Sequence, residues 1–196
     1  MDVVFNNAGY SQAGSLEDVP TEYVKQNFET NVFGLHNLTR KSIKVMRKQG
    51  YGKIIQHSSI LGLAPLKYRG SYVATKYAVE GITDSLRLEL RGSNIHLITL
   101  NTGSITSNIR ANSIKTAKNI EIEGSAHYEQ YMKIKNNKHK PIPFNKEPAA
   151  VVNVIEKILK SSNPKPRYYI TKLSYIINYA KRFMSTNILD RFLSKF

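Results

Sequence analysis

The sequence predicts an α/β protein in which a parallel β-sheet is flanked by helices. Three short apolar runs, at residues 1–5, 53–57 and 95–100, have the length and composition of buried strands. Longer stretches with helical spacing of apolar residues separate them, and this alternation indicates a parallel sheet with right-handed crossovers. The 196 residues are enough for one domain with its own core, and the hydrophobic content of 41% is ordinary for a globular protein.

Composition and charge narrow the possible functions. Cysteine is absent and the five histidines show no ligand spacing, so we expect no disulfide framework and no metal site. No apolar run reaches the roughly 18 residues of a transmembrane helix and no secretory leader is recognised, which predicts a cytoplasmic protein. The net charge is +15, of which residues 101–196, with 17 basic and 6 acidic side chains, carry +11. Because no nucleic-acid motif accompanies these scattered charges, we expect no specific nucleic-acid partner and rank contact with an anionic membrane second.

The first predicted strand ends in a turn that is a candidate ligand contact. Its sequence is Asn6-Asn7-Ala8-Gly9, directly after the apolar run at residues 1–5. Ligands of open parallel sheets bind at the carboxyl ends of the strands, which is where this turn lies.

A long helical pattern follows over residues 15–47, entered near Pro20 and Thr21 and closed by Gly50. Asn31 lies in its interior, although asparagine is a mediocre residue inside a helix. Asn31 is therefore present either for the chemistry of its amide or as a tolerated polar residue on a solvated face.

The next strand and helix carry the strongest chemical signal. The strand at residues 53–57 delivers Ser58 and Ser59 to the carboxyl end of the sheet, and the following helix carries Tyr72 and Lys76. Residues four apart share a helix face, so we expect the Lys76 ammonium to favour the phenolate and lower the pKa of Tyr72 from about 10. Such a phenol exchanges protons near neutral pH, with Ser59 holding a carbonyl oxygen before it. An isolated Tyr-x-x-x-Lys pair also arises by chance, with a core tyrosine and a solvated lysine.

The third strand, at residues 95–100, leads into a turn that contains Gly103, Ile105 and Thr106. A polar segment rich in lysine and asparagine follows it over residues 107–146. A long segment after the carboxyl end of a strand is often a mobile lid over the ligand, and plain surface decoration is the alternative.

A helix over about residues 148–160 and a last strand at residues 167–171 complete a predicted domain that spans residues 1–171. Residues 172–196 form a tail in which apolar residues recur at helical spacing with lysine and arginine between them. Such a tail either packs on the domain or on a partner subunit, which we rank first, or lies on a membrane surface.

Together these motifs resemble the short-chain dehydrogenase/reductase family of NAD(P)-dependent oxidoreductases, from residue 2 to about residue 171. The resemblance implies a Rossmann-type sheet, NAD or NADP as cofactor, and a small-molecule alcohol or carbonyl substrate. One departure is Thr102, which stands where the family usually has proline. The implied catalytic residues are Tyr72, Lys76, Ser59 and Asn31. The implied cofactor-binding residues are Asn7, Ala8, Gly9, Tyr72, Lys76, Gly103, Ile105 and Thr106.

The glycine-rich turn that holds the cofactor pyrophosphate in this family does not occur in the sequence. The resemblance thus implies that roughly 70–80 residues with the first strands of the nucleotide-binding half are missing. Two hypotheses remain open: an oxidoreductase with Tyr72 as general acid/base, or an inactive or partner-dependent fragment. For this chain we expect weak or no dinucleotide binding. The resemblance also makes a homo-oligomer plausible, and the tail resembles that of relatives acting on retinoids, steroids and long aldehydes.

Overall fold

Four parallel strands form one sheet in which they lie side by side in the order of the sequence, which confirms the predicted Rossmann-like α/β fold. The computed structural model describes residues 1–118, 120–136 and 144–195. Residues 119 and 137–143 of the predicted lid and Phe196 of the predicted tail lie outside this range. The strands are Val3–Asn6 (β1), Gly52–Ser59 (β2), Ile95–Thr102 (β3) and Arg167–Tyr169 (β4).

Eight α-helices connect or follow these strands in the described part of the chain. They are Thr21–Phe28 (α1), Leu35–Gln49 (α2), Gly70–Glu89 (α3), Ile109–Ala117 (α4), Tyr128–Asn136 (α5), Ala149–Lys160 (α6), Lys172–Phe183 (α7) and Thr186–Leu193 (α8).

The first helical region begins at Thr21, directly after Pro20, which confirms the predicted entry, while residues 15–20 before it form turns. Its interior differs from the single long helix that the pattern predicted. Between α1 and α2 the backbone forms a π-helical segment, Glu29–Gly34, which places one extra residue in the turn that contains Asn31. The helix ends at Gly50, whose φ of 88° lies in the left-handed region that glycine adopts without strain.

The strands β2 and β4 also end at residues other than those predicted. β2 extends to Ser59, so both serines belong to the strand. β4 is only three residues long, because Thr171 instead caps α7 by accepting a hydrogen bond from the Ser174 backbone amide.

The sheet buries different residues on its two faces. Val4, Ile54 and Leu97 are neighbours across the strands and pack in one apolar cluster with Met46 on α2 and with Leu90, directly after α3. The next residue of each strand points to the opposite face and packs against α6. All three connections step in the same direction across the sheet, but α2 and α3 lie on one face and α6 lies on the other. The β3–β4 connection through α6 therefore has the opposite hand to the two earlier connections.

Helices α7 and α8 cover the segment that follows β2. Ile177 and Leu193 pack with Leu63 and Ala64 in a third apolar cluster. The outward face of α7 is apolar as well, and Phe183 is 84% exposed. No helix in the described part of the chain is long and apolar enough to cross a membrane.

Candidate active site

Tyr72, Lys76 and Ser59 meet where the carboxyl end of β2 faces the first turns of α3. Lys76 Nζ lies 5.5 Å from the centroid of the Tyr72 ring and donates a hydrogen bond of 2.7 Å to the His57 carbonyl. The Ser59 hydroxyl interacts with the Tyr72 phenol, which is itself buried. The structure therefore brings together three of the four residues that were expected to be catalytic.

The expectation that Lys76 lowers the pKa of Tyr72 is wrong for this structure. Burial raises the pKa of Tyr72 to about 12, and the Ser59 hydrogen bond and the Arg69 charge oppose this rise without cancelling it. Lys76 is not the source of a downward shift, because its ammonium is directed to the His57 carbonyl. The phenol is consequently protonated at neutral pH, which suits a group that donates a proton.

Lys76 is desolvated together with Tyr72. Burial lowers the pKa of Lys76 to about 8, and the carboxylate of Glu80, one helical turn further along, acts in the opposite direction. Near neutral pH the side chain therefore remains mostly charged, but it loses its proton far more readily than a solvated lysine does.

The two serines at the end of β2 lie on opposite faces of the strand, as alternation requires. Ser59 caps the short 3₁₀ turn Ile60–Gly62, and its hydroxyl accepts a hydrogen bond of 3.1 Å from the Leu61 amide. Ser58 is buried beneath Gly62, and its hydroxyl has no hydrogen-bond partner within the described residues. Ser59 is thus the serine that faces the phenol.

Asn31 is held in the interior by its amide, so a tolerated residue on a solvated face is excluded. It is 1% exposed. Its Oδ1 accepts from the Tyr10 amide at 3.0 Å, and its Nδ2 donates to the Tyr10 carbonyl and to Thr75 Oγ1. The π-helical turn thereby ties the segment after β1 to α3.

The predicted cofactor contacts near β1 form an open ledge beside Lys76. Asn7, Ala8 and Gly9 are all exposed. A Cβ atom on Gly9 would lie 3.0 Å from Asn31 Oδ1 and 4.0 Å from Lys76 Nζ. A side chain here would therefore narrow the space in front of Lys76, and the residues present fit a nicotinamide with its ribose.

The predicted contacts after β3 are partly committed to packing. A Cβ atom on Gly103 would lie 2.1 Å from Thr171 Oγ1, so glycine is required here. Thr106 Oγ1 donates to Glu147 at 2.8 Å, and Ile105 forms an isolated bridge with Lys146. The backbone around Gly103 is what remains available to a ligand.

The sequence analysis assigned no role to His57, but the structure places this side chain at the centre of the carboxyl edge of the sheet. Its Nδ1 lies 2.5 Å from Asn7 Oδ1 and its Nε2 lies 3.2 Å from Thr102 Oγ1, so the ring links the ends of three strands. Burial, followed by the Lys76 charge, lowers the pKa of His57 to about 4, and the ring is neutral at physiological pH. Its position at the carboxyl end of β2 was the available signal.

The predicted lid lies on the segment that follows β1. Thr116 on α4 donates to the Ser11 carbonyl, and Tyr131 on α5 donates to Asp18 at 2.9 Å. Arg69, immediately before α3, contacts Ser113 on α4. Within the described residues, no group of three or more histidine, aspartate or glutamate side chains is arranged to hold a metal ion.

Comparison with known proteins identifies a family. The model of short chain dehydrogenases matches residues 1–118. The uncharacterized oxidoreductase YbbO of Escherichia coli K12 is 32% identical over 192 residues, covering 97% of this chain and 66% of that protein. The uncharacterized oxidoreductase YusZ of Bacillus subtilis 168 is 35% identical over 173 residues, covering 88% of this chain and 62% of that protein.

The fold is shared with solved structures as well. A short chain dehydrogenase from Burkholderia cenocepacia J2315 in complex with NADP aligns with a TM-score of 0.72 and 21% identity. The alignment covers 98% of this chain and 68% of that one, and at this identity it supports the fold alone. The chain spans 66% and 62% of the lengths of YbbO and YusZ.

Proposed function

Because the chain belongs to the short-chain dehydrogenase family, we propose that it is an NAD(P)-dependent oxidoreductase acting on an alcohol or carbonyl substrate. The observation that carries this proposal is the convergence of Tyr72, Lys76 and Ser59 at the open carboxyl edge of the sheet. The phenol is desolvated yet meets a polar neighbour, which is the setting of a group that transfers a proton to a bound ligand.

When bound, a nicotinamide supplies or accepts the hydride. The Tyr72 phenol donates its proton to the substrate carbonyl oxygen in the reducing direction and recovers it in the oxidising direction. Ser59 donates a hydrogen bond to the same oxygen and fixes its position before the phenol. The pKa of about 12 makes Tyr72 a proton donor at neutral pH, and the emerging alkoxide is basic enough to take that proton.

Lys76 and Asn31 support this exchange from the inner side of the site. The Lys76 ammonium, anchored on the His57 carbonyl, would hold the ribose hydroxyls of a nicotinamide nucleotide. Asn31 positions the Tyr10 backbone and, through Thr75, the first turns of α3. We assign to Asn31 the completion of a proton path from Lys76 to solvent.

The nicotinamide side of the cofactor would be held by Asn7, Ala8, Gly9, Tyr72, Lys76, Gly103, Ile105 and Thr106. The structurally similar dehydrogenase from Burkholderia cenocepacia was solved in complex with NADP, and we propose NAD or NADP as the cofactor of this chain. No glycine-rich phosphate-binding turn occurs in the sequence. Nicotinamide mononucleotide, which lacks the adenylate half, is therefore the informative cofactor for this chain.

The test is hydride transfer from reduced nicotinamide mononucleotide to a panel of ketones and aldehydes, followed by the loss of its absorbance. We expect turnover with the 196-residue chain and a loss of about 10²–10⁴-fold in Tyr72→Phe, because the proton donor is removed while the ring is kept. Tyr77→Phe is the matched control, since Tyr77 lies on the same helix as Tyr72 and its hydroxyl donates to the Leu63 carbonyl outside that helix. Equal rates in the two variants would refute the role of Tyr72.

The second candidate is an inactive or partner-dependent chain, which the lack of a phosphate-binding turn favours. Titration separates the two. An active site predicts that the mononucleotide binds about as tightly as the dinucleotide, whereas an inactive chain binds neither. Dinucleotide binding in the micromolar range would contradict our expectation that the pyrophosphate contacts are missing.

We further propose two contact surfaces outside the site. Leu38, Val45 and Leu88 are exposed apolar residues on α2 and α3 and suit a homo-oligomer contact, which light scattering would detect. The apolar outer face of α7, in the strongly basic part of the chain, suits peripheral contact with anionic lipid, which vesicle sedimentation would detect.

A further inference from the structure

Arg69 occupies a fixed position beside Tyr72 of the candidate active site. It directly precedes α3, three residues before Tyr72, and its carbonyl accepts the first hydrogen bond of the helix from Val73 at 2.8 Å. The backbone also pairs with Gly14 in an isolated bridge. Arg69 therefore cannot move without disturbing the helix that carries the phenol.

The residue before it is in a costly conformation. Tyr68 has a φ of 60°, in the left-handed region that side chains other than glycine rarely adopt. Its carbonyl accepts from the Gly14 amide at 3.0 Å, and its ring packs against His127 and Tyr131. The surrounding contacts hold this turn in place, and the turn determines where Arg69 emerges.

The guanidinium of Arg69 is poorly compensated. A guanidinium carries five N–H donors, but within the described residues Arg69 bonds only Ser113 Oγ on α4 and forms no ion pair. The remaining residues, 119, 137–143 and 196, include no aspartate or glutamate. The charged or titratable groups that act on it are Arg110, of the same sign, and Tyr72. A partly buried cation in such surroundings costs free energy.

The segment that carries Ser113, the hydrogen-bond partner of Arg69, is also positive. Residues 104–118 contain no acidic side chain, and they carry Arg110, Lys115 and Lys118. Arg110 lies one turn before Ser113 on α4. The nearby carboxylates of Glu17 and Asp18 are engaged, Glu17 with His127 and Asp18 with Tyr131 and Ser125.

Arg167 is a second partly buried arginine, and unlike Arg69 it is paired with carboxylates. Its guanidinium bonds both oxygens of Asp84 and also Glu80, at 2.6–3.2 Å. These carboxylates raise the pKa of Arg167 against the effect of burial, whereas burial and Arg110 lower the pKa of Arg69. The missing counter-charge of Arg69 is therefore a local property of the site.

We propose that Arg69, assisted by Arg110, binds a carboxylate of the substrate, so that the alcohol or carbonyl compound accepted by this site is a hydroxy acid or an oxo acid. The planar fork of a guanidinium matches the two oxygens of a carboxylate, and one unpaired charge matches one anion. The substrate anion then supplies the counter-charge that the described residues do not provide. This assignment of a substrate class rests on the proposed oxidoreductase function.

Binding is measured without turnover, so that the two proposals are tested separately. Oxo acids with one to three methylene groups between ketone and carboxylate are titrated against the full chain by ligand-observed NMR, each beside its primary amide. We expect each acid of suitable length to bind about tenfold or more tightly than its amide, because only the acid forms the charge-assisted pair. Equal affinity of acids and amides would overturn the proposal.

Arg69→Gln is the decisive variant. It should abolish the preference for acids, and Arg110→Gln should weaken it. Arg40→Gln removes the same charge from an exposed position on α2 and should leave the preference intact, which separates the site from the general attraction of a chain with net charge +15. The unfolding temperature of Arg69→Gln should stay equal or rise, because an uncompensated charge is removed. A variant that fails to fold would assign Arg69 to the fold and overturn the proposal.

The outcome is distinguishable from that of the proposed function. Selective binding of acids at Arg69 without hydride transfer would sustain this inference and defeat the oxidoreductase proposal. Hydride transfer to amides and acids at the same rate would do the reverse.

Discussion

The two halves of α3 differ in whether their buried ionisable side chains are paired with an opposite charge. The amino-terminal half, preceded by Arg69, carries Tyr72 and Lys76, whose pKa values are both shifted by burial toward the neutral form. The carboxyl-terminal half carries Glu80 and Asp84, which are paired with Arg167. In the first half polar groups are desolvated without full compensation, and in the second half each finds an opposite charge.

This difference separates function from stability along one helix. Burial alone would raise the pKa of Asp84, but hydrogen bonds from Arg167 and Arg87 hold it below the ordinary value. Glu80 also accepts a hydrogen bond of 2.6 Å from Asn101 on β3, so this cluster fastens the helix to the sheet. Groups at the other end remain incompletely paired, which agrees with the proposal that a ligand completes their interactions.

The largest effect on stability is expected for Arg167→Gln. It removes the cation that is hydrogen-bonded to the buried Glu80 and should lower the free energy of unfolding by about 3 kcal/mol in urea titrations, since the remaining carboxylate stays desolvated after it loses this partner. The same change at Arg69 should cost nothing measurable. Similar losses in both variants would remove the distinction between the two halves.

The second effect concerns pH. The pKa of His57 is lowered from an ordinary 6.5 to about 4 in the folded protein. Between pH 6.5 and 4 the unfolded chain therefore binds a proton at His57 that the folded protein does not bind. Stability should therefore fall as the pH drops from 6.5 to 4, by roughly 2 kcal/mol. Urea titrations across this range would measure the slope. His57→Gln should flatten it, and a persistent slope in that variant would assign the acid sensitivity to other groups.

A smaller effect is expected for Lys76→Met. The variant loses the hydrogen bond to the His57 carbonyl but also removes a desolvated ammonium, so unfolding free energy should change by about 1 kcal/mol or less. Binding of nicotinamide mononucleotide should nevertheless be lost. A large loss of stability with binding retained would place Lys76 among the structural residues.

The smallest effect is expected for Glu22→Gln, which removes the pair with Lys25 on the surface of α1. Both side chains are 66% exposed, and such pairs contribute less than about 0.5 kcal/mol. This variant sets the baseline against which the Arg167 cluster is judged, and 1 M salt should erase the difference from the unmodified chain.

The sequence was sufficient for the parts of the molecule that depend on local pattern. Apolar runs predicted the parallel sheet, and the spacing of Tyr72 and Lys76 predicted their common helix face. The contacts of Arg167 were not predictable in this way, because its partners are 83 and 87 residues away along the chain. The upward shift of the Tyr72 pKa depends on how much of the ring is buried, which spacing does not determine.

Arg69 did leave a local signal that went unused. A cation at the amino terminus of a helix opposes the helix dipole, whereas an anion is favoured there. A residue that breaks such a preference without an evident partner marks a place where the chain serves something other than its own stability. The opposite hand of the β3–β4 connection left no such signal, because strand and helix patterns are the same for either hand.

The π-helical turn at Glu29–Gly34 makes the site sensitive to chain length at a point that touches no ligand. Removing one residue there would restore ordinary helical hydrogen bonding at little cost to the backbone and would swing Asn31 away from Tyr10 and Thr75. A deletion that makes this helix regular would thus break the hydrogen bonds by which Asn31 joins the segment after β1 to the helix that carries Lys76.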